Sequence, residues 1–307
     1  MVGDLSGRVA LVAGATRGAG RAIAVELARA GAFVYATGRS SRAHGPSDMD
    51  RPETIEETGD LLAATGGQGC ALRVDHLDTE AVRVLIERVR SEQGRLDVLV
   101  NDIFGGDRYA QWETPLWEHD LDGGLRMLRM GVETHIITAA VALPLMLETG
   151  EGLLVEMTDG TSAANAGDRP GVGFYYDFVK AGVDRLVRNF ARDLRGTRVA
   201  AVGVTPGWLR SERMLEGFGV TEENWREFCD REPSFGVSES PAYVARGVRA
   251  LAADHDRDRF SGRVVTARQL ADAYDVTDVD GSRPDCWGLI ADHGWSEADP
   301  EVIERYR

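Results

Sequence analysis

Tyr176-Asp177-Phe178-Val179-Lys180 carries a phenol and an ammonium four residues apart. On a helix, positions i and i+4 share one face, so the two polar ends meet. A free phenol has a pKa of ~10, and a neighbouring cation draws it toward the range in which it passes a proton. Tyr175 is five residues from Lys180 and off that face, which makes Tyr176 the acid/base candidate and Lys180 its tuner. A second pattern is Gly14-Ala15-Thr16-Arg17-Gly18-Ala19-Gly20. Glycine accepts positive φ and lets an anion touch the backbone. Where such a loop joins a strand to a helix, the free N–H groups and the helix dipole suit a pyrophosphate. The plain alternatives are a glycine-rich turn that binds nothing and a coincidental Tyr-Lys spacing.

These groups need a scaffold, and the apolar pattern supplies one. Val9–Ala13 is a short buried-strand run that ends at the glycines, and 21–30 has the apolar spacing of a helix against a sheet. Further strands are expected at 33–37, 71–74, 96–100, 153–157, 199–204 and 263–266. Asp78 or Thr79 caps a helix whose Val82, Leu85, Ile86 and Val89 recur at helical spacing. Thr114-Pro115 reads as the start of a helical stretch reaching about 147, with Gly123, Gly124 and Gly131 arguing against its continuity. Val183, Leu186, Val187, Phe190 and Leu194 mark another helix, and Ser240-Pro241 opens one toward Ala253. Alternating strands and helices with buried apolar strands predict an α/β, three-layer Rossmann fold with a doubly wound parallel sheet. There is no repeat and no linker, so a single domain covering 1–307 is expected. A lid insertion at about 208–238 and a C-terminal extension at about 268–307 are added to it.

The chain has 307 residues and a net charge of −15, which disfavours a nucleic-acid surface while leaving room for a small anionic ligand. Hydrophobic residues at 43% exclude wholesale disorder. Cys70, Cys229 and Cys286 are too few and too far apart for a disulfide framework, which predicts a reducing, cytoplasmic setting. The six histidines form no ligand cluster, so no metal site is expected. The opening Met1-Val2-Gly3-Asp4 has no basic segment followed by an apolar run, and no stretch reaches the ~18 apolar residues of a membrane span, so no membrane partner is expected.

The Gly-x-x-x-Gly-x-Gly loop, the Tyr-x-x-x-Lys pair and their order along the chain resemble the short-chain dehydrogenase/reductases over about 5–268. The resemblance implies an oxidoreductase that interconverts a carbonyl and an alcohol by hydride transfer. It assigns Gly14, Thr16, Arg17, Gly18 and Gly20 to the cofactor loop, Asp75 to the adenine, and Lys180 to the nicotinamide ribose. Asn101 matches the first residue of the family's Asn-Asn-Ala-Gly, while Asp102-Ile103-Phe104-Gly105 departs from the rest. Pro206-Gly207 with Ser211 resembles the family's Pro-Gly-x-x-x-Thr. At the end of the second strand, NAD enzymes keep an acid for the ribose 2′-hydroxyl; this chain has Gly38 followed by Arg39. Arg17 and Arg39 suit a 2′-phosphate, so the expected cofactor is NADP(H), unless both are ordinary surface charges. Family practice further implies a homodimer or homotetramer through the two long helices at about 115–147 and 175–195.

Two positions break the pattern. Where the family has Ser-Ser after the fifth strand, this chain has Thr158-Asp159, so Asp159 falls at the catalytic serine and Thr158, Thr161 or Ser162 remains to supply a hydroxyl. An ionised Asp159 opposes deprotonation of Tyr176. Asp159-Gly160 is equally readable as a turn. The family's relay asparagine maps to Gly131, thirteen residues before Pro144. Gln111-Trp112-Glu113-Thr114-Pro115, Ser261–Val265 and Asp278–Gly281 resemble one branch of the family, which itself carries glycine at the position of Gly131. Trp208, Leu209, Met214 and Phe218 form an apolar lid or an ordinary surface helix. The alternative function is an NADP(H)-binding sensor or scaffold with a degenerate site.

Overall fold

The computed structural model describes residues 4–295 and 299–307; the parts of the sequence expectations at 1–3 and 296–298 lie outside the described residues. Seven strands form one sheet: β1 Val9–Ala13, β2 Phe33–Gly38, β3 Gln68–Arg73, β4 Val98–Asn101, β5 Gly152–Met157, β6 Val199–Thr205 and β7 Val264–Thr266. They are all parallel, in the order β3-β2-β1-β4-β5-β6-β7. Successive side chains of a strand alternate between faces. Accordingly Ala10, Val12, Val100 and Val155 join one apolar layer, and Leu11, Leu99 and Leu154 the other.

The first layer is covered by α1 Gly18–Arg29, α2 Ile55–Ala64, α9 Pro241–Ala253 and α10 Ala267–Tyr274, through residues such as Ile23, Leu62, Val248 and Leu270. The second is covered by α3 Thr79–Gln93, α5 Thr134–Thr149 and α7 Phe174–Asp193. Asp78 caps α3 by accepting from Glu80 and Ala81 N–H. The doubly wound parallel sheet is thus the predicted α/β Rossmann architecture.

Three local expectations change. No helix starts at Thr114-Pro115: a single 3-10 turn, Leu116–Glu118, follows, and α4 Leu121–Leu128 starts under an Asp120 cap. From there the helix runs on through a π turn at Arg129–Glu133 into α5, so the glycines do not break it. They instead admit the neighbouring helix: a Cβ on Gly124 would collide with the Tyr175 ring, and one on Gly131 with Val179 Cγ1. The run Leu121–Thr149 is long and apolar enough to cross a membrane by length and composition, which the expectation of no such stretch missed. Half of its most apolar window is buried inside the chain's own fold. The helix α2 was also overlooked, although Thr54-Ile55-Glu56-Glu57 has capping-box spacing and Glu57 accepts from the Thr54 N–H at 3.2 Å.

A short α6 Ser162–Ala166 lies between β5 and α7, and the insertion at 208–238 contains α8 Glu212–Phe218, followed by two 3-10 turns. Phe218, Phe228, Trp225 and Trp208 pack around Phe235. The tail adds α11 Cys286–His293 and α12 Pro300–Ile303. Where the insertion returns to the core, Glu239 is buried and accepts from Gly207 N–H at 2.9 Å, while its other oxygen has no partner. Burial pushes this carboxyl from its ordinary 4.5 up to about 8.

A carboxyl whose folded pKa exceeds its unfolded value favours folding below the unfolded value and loses that contribution as pH rises through the folded one. Glu239 should therefore make stability fall between about pH 4.5 and about pH 8, by at most about 1.4 kcal/mol per unit. Denaturant unfolding across that window should show a shallower decline in Glu239→Gln than in the parent chain.

Candidate active site

The strand order reverses between β1 and β4, which opens a crevice at the carboxyl ends of the strands, the usual ligand position in such sheets. A cavity of about 710 Å³ lies there. Its walls come from the ends of β1, β2, β4, β5 and β6, from α7, and from the insertion and tail.

The glycine loop forms the floor. Gly14 has φ +91°, and a Cβ on it would run into the Asp102 carbonyl; one on Gly20 would meet the Gly14 carbonyl. Gly18 starts α1, and no acidic residue lies in that first turn. Its N–H donates instead to the Glu212 carboxylate of α8, at 3.0 Å to Oε2. A carboxylate thus sits at the anion position of the helix. Arg17 is largely buried, 3.5 Å from Glu53, and its Nη1 makes no hydrogen bond. Arg39 pairs with Asp48 at 2.7 Å and lies 3.9 Å from Asp75. Burial acts against ionisation of Asp48, but Arg126, Arg39 and Tyr109 outweigh it and lower its pKa to about 2. A Cβ at Gly38 would strike Thr16 Oγ1, so the hydroxyl in the loop and a side chain at 38 exclude each other.

Gly14, Thr16, Arg17, Gly18, Arg39 and Asp75 all line the cavity, as do Pro206, Gly207 and Ser211. Ser211 caps α8, accepting from Met214 N–H. Gly20 stands behind the loop against Gly14. Asn101 does not line the cavity, contrary to expectation. It is fully buried and donates to Glu156 Oε1 at 2.8 Å, because that carboxylate of β5 needs a donor inside the sheet. His135 completes the cluster, with Nδ1 at 2.5 Å from Glu156 and Nε2 at 2.9 Å from the Ile103 carbonyl. Burial disfavours a charged ring there, yet Glu156 and these contacts raise its pKa overall. The residues dismissed as a departure from the family pattern, 102–105, are the ones that reach the cavity. Asp102 is half-buried there, and desolvation lifts its carboxyl to about 7.

Tyr176 and Lys180 face the cavity together from α7. The expected tuning of the phenol by the ammonium is not what the geometry produces. Lys180 Nζ lies 3.8 Å from the centre of the Phe104 ring and 5.3 Å from that of Tyr176. Burial, then the Asp159 carboxylate, raise the Tyr176 pKa well above its ordinary value. Burial also lowers that of Lys180. The Tyr176 hydroxyl donates to Asp159 Oδ2 at 3.2 Å, and Arg169 Nη2 donates to the same oxygen at 2.7 Å.

None of the candidate hydroxyls takes the serine position. Thr158 lines the cavity, but its Oγ1 donates to the Lys180 carbonyl. Thr161 caps α6 and Ser162 donates to Asp184. Asp159-Gly160 is a bend, with Gly160 at φ +101°, and it also presents the carboxylate to the phenol. Arg169 escaped sequence reasoning; the longer gap before Tyr176 was the only trace of the loop that carries it.

The remaining wall is mainly apolar and aromatic, with Arg213 and Glu232 also lining it. Trp208, Leu209 and Met214 line it, whereas Phe218 turns away and stacks on Phe228. The tail covers the cleft with Cys286, Trp287, Leu289, Ile290 and Trp295. Trp287 anchors it by donating to the Pro206 carbonyl at 2.7 Å.

A family model described as short chain dehydrogenase matches residues 8–218. Dehydrogenase/reductase SDR family member 1 of Mus musculus is 32% identical over 294 residues, spanning 92% of this chain and 86% of that protein. The 7alpha-hydroxysteroid dehydrogenase of Clostridium sardiniense is 28% identical, over 81% of this chain and 88% of its own. Among solved structures, a short-chain type dehydrogenase/reductase from Mycobacterium marinum superposes with a TM-score of 0.69 at 22% identity, covering 86% of this chain and 95% of that one. A hydroxysteroid dehydrogenase from Escherichia coli gives 0.66 at 23%, covering 86% and 96%. At these identities the structures speak to the fold alone.

Gly131 is the local constraint that a substitution tests most directly. Gly131→Asn would force its Cβ into Val179 Cγ1 and within 3.2 Å of the Phe104 ring. Overpacking of this kind costs about 1–3 kcal/mol. Chemical unfolding should show that loss, and a variant as stable as the parent would contradict the packing described.

Proposed function

The chain belongs to the short-chain dehydrogenase family, and on that premise we propose that it is an NADP(H)-dependent oxidoreductase interconverting a carbonyl and an alcohol. The observation that carries the reading is the convergence of the glycine loop, Tyr176 and Lys180 on one cavity. The residues present fit a dinucleotide: the loop leaves space that a Cβ would fill, and Arg17 keeps a buried Nη1 without a hydrogen bond. Gly14, Thr16, Arg17, Gly18 and Gly20 would hold the pyrophosphate, with Glu212 displaced from the Gly18 N–H. Asp75 would meet the adenine, and Arg17 and Arg39 a 2′-phosphate. Lys180 would hold the nicotinamide ribose, and Pro206, Gly207 and Ser211 the nicotinamide end. When bound, the cofactor supplies or accepts the hydride.

Tyr176 exchanges a proton with the substrate oxygen. Lys180 contributes positive charge beside the transition state, and the apolar wall keeps water from the reacting carbon. That wall favours an apolar small-molecule carbonyl or alcohol, in keeping with a steroid-acting relative. Leu121 and Leu125 on α4 and Phe174 and Phe178 on α7 are exposed, which supports a homodimer or homotetramer through these helices. Three free cysteines accord with a reducing cytoplasm.

Oxidation of NADPH over a panel of apolar ketones and aldehydes should reveal turnover, and Tyr176→Phe should lower it by ~100-fold or more. Cofactor binding without turnover would favour the sensor reading. Arg39→Ala should cut the preference for NADPH over NADH by roughly tenfold, the weight of one charge-assisted contact, read from the ratio of kcat/KM for the two cofactors.

A further inference from the structure

Tyr176 is half-buried and faces the cleft, and under the oxidoreductase reading it changes protonation at every turnover. With cofactor and substrate filling the cleft, its hydroxyl needs another route to water. Most of its surroundings offer none: the Phe104 ring stands edge-on at 5.6 Å and Trp112 lies tilted at 5.1 Å. On the same helix, Lys180 turns its ammonium onto the face of Phe104. Gly131 puts no polar side chain on that side, and its place is closed by Phe104 and Val179.

Among the described residues, the only hydrogen-bond partner of the Tyr176 hydroxyl is Asp159, at 3.2 Å. The Asp159 side chain is 29% exposed, so one end of it touches the phenol while the group as a whole reaches solvent. Its orientation is fixed by Arg169, whose side chain is 4% exposed and is itself held by Asn165 at 3.2 Å and Asp177 at 3.5 Å. The other charged groups acting on the phenol are Asp107 and, through Lys180, Asp102.

We propose that Asp159 is a catalytic proton relay that carries the proton between the Tyr176 hydroxyl and bulk water, with Arg169 as its positioning residue. The proposal rests on the oxidoreductase reading. In reduction, the substrate carbon gains the hydride and the carbonyl π pair moves onto oxygen. That oxygen takes the Tyr176 proton, so the phenolic O–H breaks as the product O–H forms. The Asp159 carboxylate then takes a proton from solvent and passes it to the phenolate, returning to the carboxylate. One solvent proton is consumed per turnover, and oxidation of the alcohol runs the same transfers in reverse. Before the transfer the Tyr176 O–H turns from Asp159 Oδ2, to which it donates without ligand, to the substrate oxygen.

The test uses the full chain with NADPH and the best carbonyl substrate from the panel. Asp159→Asn and Asp159→Ala should each lower kcat by ~100-fold while the NADPH dissociation constant stays within about twofold. Added formate should restore part of the Asp159→Ala rate in a concentration-dependent way. Independently of turnover, the ultraviolet titration of Tyr176, identified by difference from Tyr176→Phe, should move to lower pH in Asp159→Asn, because the carboxylate that raises it is gone. Thermal unfolding checks that the variants fold; if Asp159→Ala does not, the near-isosteric Asp159→Asn decides on rate and titration together. Parent-like or faster turnover in Asp159→Asn or Asp159→Ser would overturn the relay and make Asp159 an obstruction. Failure of formate to rescue a folded Asp159→Ala would also overturn it. A parent chain that binds NADPH but reduces nothing overturns the oxidoreductase reading, and the relay with it. An active parent with unaffected variants overturns the relay alone.

Discussion

The cleft depends on how closely the turn after β1 approaches the turn after β4. The Asp102 N–H donates to the Ala13 carbonyl at 2.8 Å, and Gly14 turns under the Asp102 carbonyl with no space for a Cβ. Gly20, one turn into α1, presses against the Gly14 carbonyl in the same way. Backbone meets backbone at both contacts, so no rotamer can relieve a side chain placed there. This contact sets the start of α1, and the start of α1 sets where an anion can bind. It also carries residues 102–105 to the cavity and so brings Phe104 under Lys180 and beside Tyr176.

Charge in this cleft is balanced locally. The chain is acidic overall, and the arginines facing the cleft each have a carboxylate near: Glu53 at Arg17, Asp48 at Arg39, Asp159 at Arg169 and Asp107 at Arg213, while Lys180 rests on Phe104. Even the N-terminus of α1 meets Glu212. Desolvated cations without partners are costly, and these pairings offset that cost. A phosphate entering the cleft therefore competes with carboxylates and not only with water. Glu212 belongs to α8 and Asp48 to the loop after β2, so ligand binding is coupled to the position of both segments.

Around Tyr176 the departures from the family pattern fit one another. Gly131 leaves space for Phe104 and Val179; Phe104 supports the Lys180 ammonium; Asp159 and Arg169 fill the side where a serine hydroxyl would stand. The tail closes the cleft through the Trp287 contact to Pro206, which gives the segment after 268 a place in the site.

Local chemistry alone made much of this legible. Alternating buried strands at Val9–Ala13 and 153–157, the Asp78 cap and the glycine loop depend on neighbours in the chain, so their spacing declares them. Tyr176 and Lys180 were legible for the same reason, since one helical turn joins them. Partners distant in sequence were not. Asn101 turned to Glu156, and Lys180 to Phe104, because burial rewards whichever complementary group tertiary packing brings nearest. The glycines at 124 and 131 looked like helix breakers in sequence, and only the approach of α7 shows them as contact points. The strands and their order, with α1, α3, α7 and α9, thus came from the sequence by itself, while α2 and the start of α4 did not. Which oxygen Tyr176 faces, and that Arg169 shares it, was decided by the fold, because hydrogen bonds between residues far apart in the chain have no periodicity to read.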